Sequence, residues 1–175
     1  MDEKLFKIIL RFIPSPDEEI ITEKEFLQLV GISREEVENF IWKLFSEAIE
    51  SKDELAISSA FTLSWRFGFP NGILRVLSPL LRVGWAFRQE DIVDAIEDCN
   101  FTDGIDDLYY LIVHPPKYLS PEDHELLAVK AVWALGFLGT GRALELLLTL
   151  VKSKNRRIQV CAIRQIRRIR GQRYL

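Results

Sequence analysis

Histidine, cysteine and methionine are scarce: two, two and one in 175 residues. His114 stands before Pro115-Pro116, and His124 falls in the first turn after Pro121. There is no HExxH, no paired Cys-x-x-Cys and no glycine loop followed by a phosphate-binding lysine. The Gly139-Thr140-Gly141 turn lacks the lysine and the strand that a phosphate loop needs. The expectation is therefore no metal, no cofactor and no enzyme. Cys99 and Cys161 both lie in apolar helical patterns and read as two buried thiols, not as a disulfide framework. No apolar run approaches the roughly 20 residues of a membrane helix. The start, Met1-Asp2-Glu3-Lys4, is acidic, and Lys7 and Arg11 interrupt the apolar residues after it, unlike a secretory signal. These absences predict a cytoplasmic protein that does not enter a membrane.

No stretch alternates as a half-buried strand would, and apolar residues make up 48% of the chain, so helices are expected throughout. The first should run over Glu3 to Ile13 and stop at Pro14 and Pro16. Thr22 with Glu25 forms a capping box for a helix ending at Gly31. Ser33 with Glu36 is the next box, and it opens a helix with Val37, Phe40, Ile41, Leu44, Phe45 and Ile49 on one face. A helix over Asp53 to Arg66 carries Leu55, Ile57, Ala60, Phe61 and Leu63. Ile73 to Val83 should kink or end at Pro79. Helices follow over Arg88 to Cys99 and Asp106 to Val113. Ser120-Pro121-Glu122-Asp123 then starts one that reaches Leu138: serine caps, proline fits the first position, and acids favour the positive end of the helix dipole. Arg142 to Lys152 and Arg157 to Arg170 complete the set.

Part of this pattern repeats. Ile57, Ala60 and Leu63 recur 36 residues on as Val93, Ile96 and Cys99, again as Val129, Val132 and Leu135, and then as Val160, Ile163 and Ile166. Leu74, Leu77 and Leu81, and later Leu144, Leu147 and Leu150, lie between them. Helix pairs that cannot bury their apolar faces alone stack into a continuous core. The stretch Ala131-Val132-Trp133-Ala134-Leu135-Gly136-Phe137-Leu138-Gly139, with Ala143, Leu147, Leu150 and Val151, resembles the HEAT-like repeat of the phycobilin-lyase type. Ile158 to Ile163 looks like the start of the next repeat. The resemblance implies an all-α fold: a short right-handed superhelical stack of antiparallel helix pairs over 53–175, after an N-terminal helical segment over 1–52. The family often has an Asp closing one repeat and an Arg early in the next. This chain has Ser153, Gln159 and Ala128 in those places and lacks that polar ladder.

Two further resemblances concern DNA. Phe26 to Val37 looks like a helix-turn-helix, with a glycine turn and an Ile32-Ser33 cap. Its second helix would open on Arg34, Glu35, Glu36 and Glu38, and three carboxylates oppose phosphate contacts. Some HEAT-like proteins are alkylpurine DNA glycosylases with aromatics at a basic cleft, a comparison that Trp65, Trp85 and Trp133 invite. Trp133 falls in an apolar stripe and Trp42 borders another, so most of the tryptophans read as core.

Charge is unevenly placed. Residues 142–175 hold ten Lys or Arg and one acid, about +9, which leaves about −12 for the first 141 residues of a chain whose net charge is −3. Residues 89–116 hold eight acids and no Lys or Arg. At 3.6 residues per turn, Glu90, Asp91, Asp94, Glu97 and Asp98 take the arc opposite Ile92, Val93 and Ile96. With Asp103, Asp106, Asp107 and the nearby Tyr109 they form a candidate docking surface for a basic partner. The reading this supports is a protein-binding module, an immunity protein that neutralises a toxin such as a basic nuclease. The alternatives are nucleic-acid binding by the basic last helix or the helix-turn-helix-like element, and a HEAT-like enzyme or lyase relative.

Overall fold

The computed structural model describes residues 2–13, 20–83, 88–114 and 116–172, which form α-helices and short 3-10 turns with no strand among them. Pro14, Pro16, Trp85, Pro115 and Arg173 lie outside the described residues. The chain divides into two compact units, Met1–Ile73 and Leu74–Leu175. The boundary expected at 52/53 falls between two helices that pack on each other within the first unit.

The first unit contains α1 (Glu3–Leu10), α2 (Glu23–Val30), α3 (Val37–Ser51) and α4 (Glu54–Phe67). The Thr22–Glu25 capping box forms, and Gly31 ends α2 at φ 76°, in the left-handed region that glycine enters without steric cost. The Ser33 box forms only in part. The Ser33 amide donates to the Glu36 carboxylate (2.8 Å), but residues 34–36 make a turn and α3 begins at Val37. Asp53 caps α4 by accepting from the Ala56 amide (3.0 Å). The core here is aromatic: Phe12, Phe26 and Phe67 meet at 5.1–5.9 Å, and Phe45 meets Phe61 edge-on at 5.2 Å. Leu55, expected on the apolar face of α4, is exposed; it occupies the first turn, ahead of the buried run from Ala56.

The second unit contains α5 (Leu74–Leu77), a 3-10 turn over Ser78–Arg82, α6 (Gln89–Asp98), α7 (Ile105–Val113), α8 (Pro121–Leu138), α9 (Gly141–Leu150) and α10 (Arg156–Gln172). Pro79 stands where α5 gives way to the 3-10 turn, the interruption expected from its missing amide proton. Ser120 caps α8, with Pro121 in its first turn, and Gly139 ends it at φ 58°. The helices contact one another in two rows, α6–α8–α10 and α7–α9, with α8 touching all four others. Their shared core holds Val93, Ile96, Leu108, Leu111, Val132, Leu135, Leu147, Ile158 and Ile166.

Several positions of the repeat pattern depart from expectation. Cys99 is exposed because α6 ends at Asp98, one residue before it; Cys161 is buried as expected. Val129, Val160 and Ile163 are half-buried. Trp42, Trp65 and Trp133 are all exposed, so the described tryptophans are surface residues and not core. For Trp133 the reason is angular: at 100° per residue it points with Leu126 and Phe137, away from Ala131, Leu135 and Leu138.

Candidate interaction surface

The expected acidic surface is partly neutralised within the fold: five cations meet six of its eight carboxylates. Lys130 of α8 reaches α6 and donates to Glu90 and to Asp94, each at 2.7 Å. Arg88 lies 2.7 Å from Asp91, Arg75 lies 3.5 Å from Asp103, and Arg142 grips Asp106 through Nε and Nη2 at 3.0 and 2.7 Å. Asp107 is buried, where it accepts from Ser78 (2.8 Å) and from Arg82. The cations come from before residue 89 and after residue 116, which is why the local run of acids gave no sign of them. The helical arc is also less open than 3.6-residue spacing suggests: Asp91, Asp94 and Glu97 are only half-exposed. Burial pushes the Asp91 carboxyl above its usual range against the pull of Arg88, and Asp94 and Glu90 add to the push. Burial, with Asp98 and Asp94, raises Glu97 in the same way. Glu97 and Asp98 alone of the eight have no hydrogen-bond or ion-pair partner among the described residues. Tyr109 shares a hydrogen bond with Thr149 (3.2 Å).

The helix-turn-helix-like element is occupied in a comparable way. The Arg34 guanidinium sits over the Phe67 ring at 5.0 Å, donates to the Phe67 carbonyl (3.4 Å) and lies 3.9 Å from Glu23. Glu38 accepts from the Asn71 amide (2.9 Å). Arg34 thus ties the turn to the end of α4, and Glu38 ties α3 to the loop that follows α4.

A surface that sequence reasoning missed lies along α8. This helix is apolar nearly all round, a pattern that normally marks a fully enclosed helix. Its inner side is buried through Ala128, Ala131, Val132, Ala134, Leu135 and Leu138, yet Leu126, Trp133 and Phe137 stay 54%, 44% and 51% exposed. These three fall within an arc of about 40°. Single exposed apolar residues are ordinary, whereas an aligned set of large ones marks a contact surface.

Beside this ridge, α8 and α10 border an open groove of about 760 Å³. Val129, Trp133, Val160 and Cys161 supply its apolar lining; Arg156, Arg157 and Arg164 supply positive charge, and Glu125 is its one carboxylate. Glu125 is committed within the fold, accepting from Asn155 (2.6 Å) and from Arg157 (3.1 Å). The Asn155 bond, with Arg157 beside it, holds the Glu125 carboxyl below its usual range. Asn155 also accepts from the Arg157 and Ile158 amides, so one residue starts α10 and fastens it to α8. That link joins α8 to α10, with α9 between them in the chain. Arg156 is bonded to Gln159 (2.7 Å), while Arg164, Arg167 and Arg170 have no partner among the described residues.

Among the described residues no three His, Cys, Asp or Glu side chains come together as metal ligands, and no helix is long and apolar enough to cross a membrane. No family model matches the chain, and neither a curated protein nor a solved structure is similar to it.

Proposed function

We propose that this chain is a protein-binding module of HEAT-like helix pairs, acting by association and not by catalysis, with the outward face of α8 and its groove against α10 as the contact surface. The carrying observation is the aligned exposure of Leu126, Trp133 and Phe137 on a helix that is apolar nearly all round. Large aromatics bordered by arginine are the side chains that most often dominate the energy of protein interfaces. The two rows α6–α8–α10 and α7–α9 support the stacked-repeat part of the reading, since such arrays present the edges of successive helices to a partner.

A second reading keeps the neutralisation of a basic toxin and rests on Glu97 and Asp98, neighbouring carboxylates without a hydrogen bond or ion pair among the described residues. Site-directed photo-crosslinking separates the two. A benzophenone side chain at position 133 should give protein adducts in the native host, suppressed when Arg164 is changed to Glu. Adducts from position 98 alone would move the contact to the acidic side. Adducts from 133 to nucleic acid instead of protein would overturn the proposal.

A further inference from the structure

Resting on that reading, we infer that the partner element seated along α8 and α10 is an acidic amphipathic helix. The groove is lined by Val129, Trp133 and Val160, so its occupant must bring apolar side chains. Its charge is one-sided: three arginines face one carboxylate, and that carboxylate already takes bonds from Asn155 and Arg157. Arg164 is left without a counter-charge, and Arg167, one turn further along α10, is likewise exposed and unpaired. A partner carboxylate meeting these guanidiniums would form charge-assisted bonds of the stronger kind.

The dimensions suit a helix. On α8 the groove lining runs from Glu125 to Trp133, roughly 12 Å at 1.5 Å per residue, a little over two turns. A helix laid beside it presents apolar side chains at intervals of three and four residues, the spacing by which grooves read amphipathic helices. A groove of 760 Å³ holds several side chains of such a helix while its backbone stays outside. A nucleic acid fits less well, since Val129, Val160 and Cys161 offer phosphates nothing and Glu125 repels them.

The test uses the full chain and three fluorescent probes. One is a peptide of about 18 residues with Leu and Phe at helical a/d spacing and Glu at the other positions; the second has Lys for every Glu; the third is an oligothymidylate of about 15 nucleotides. Fluorescence anisotropy should show binding of the Glu peptide, weakened about tenfold or more by Trp133→Ser and separately by Arg164→Glu, and weakened by salt. The Lys peptide should not bind. Both substituted side chains are exposed, so circular dichroism melting should match the parent; if Trp133→Ser melts early, Arg164→Glu carries the decision. Equal binding of the Lys peptide, no binding of the Glu peptide, loss of binding in neither variant, preferential binding of the oligonucleotide, or dimerisation abolished by Trp133→Ser each overturns the inference. Protein adducts from position 133 without Glu-peptide binding would leave the binding-module reading standing and remove only the acidic helix.

Discussion

Gln165 of α10 occupies the space that a Cβ on Gly136 of α8 would take: a methyl there would lie 2.2 Å from Gln165 Oε1 and 2.6 Å from its Cγ and Cδ. Gln165 is 1% exposed, so its side chain cannot swing out to solvent. The missing side chain of Gly136 is therefore what lets α8 and α10 approach. Gly136→Ala should lower the urea midpoint despite a helix-propensity gain of about 1 kcal/mol, because overpacking costs about 1–3 kcal/mol. Adding Gln165→Ala should recover part of the loss, a favourable coupling in a double-mutant cycle. Strict additivity would show that the two side chains do not compete for one space.

Leu135 of α8, the residue before Gly136, is fully buried. Leu135→Ala should cost about 2–5 kcal/mol by chemical denaturation. An unchanged midpoint would show that the buried stripe is misassigned.

Lys130 is the clamp between α6 and α8. Burial works against its charge, but the hydrogen bonds to Asp94 and Glu90 outweigh that and raise its pKa. A raised pKa means the stabilisation is complete at neutral pH and disappears as pH rises through the folded-state value, in the alkaline range. Lys130→Met should destabilise by about 1 kcal/mol, a partly exposed pair being screened. The difference from the parent should shrink at high pH; a difference that does not change with pH would assign the loss to packing.

The α4 cap gives the opposite sign. The Ala56 amide, hydrogen-bonded to Asp53, lowers the carboxyl pKa, so its contribution is present above the unfolded value and is lost as pH falls through the folded one. Asp53→Ala should cost about 1 kcal/mol at pH 7, with Asn retaining most of the stability. The cost of Ala should diminish in acid. A pH-independent cost would contradict the cap assignment.

Many helix starts and stops set by a local device were legible: Thr22 with Glu25, Gly31, Pro79, Ser120-Pro121 and Gly139 all act at the expected places, whereas the Ser33–Glu36 box forms only in part and α3 opens later, at Val37. The acidic surface was not, because the cations that neutralise Glu90, Asp94 and Asp106 are 36 to 40 residues away in sequence. Asp91, Asp94 and Asp98, expected together on one face of α6, have separate roles: Asp91 beside Arg88, Asp94 on Lys130, Asp98 open. Trp133 was read as core because it continues an apolar run, and on a helix apolar all round, periodicity does not say which arc is left uncovered. Glu125, Asn155 and Gln165 gave no signal at all, since buried or bridging polar residues follow no spacing rule.

The contact face on α8 and α10 is tested most directly by measuring affinity for the cross-linked native partner with four proteins: the parent, Trp133→Ser, Arg164→Glu, and the pair Glu97→Gln with Asp98→Asn. Loss of binding by about tenfold or more in each of the first two variants, with the acidic pair within about twofold of the parent, is the predicted result. The reverse pattern, with Trp133→Ser and Arg164→Glu binding as the parent does and the acidic pair impaired most at low salt, would contradict the account and place the contact on the end of α6.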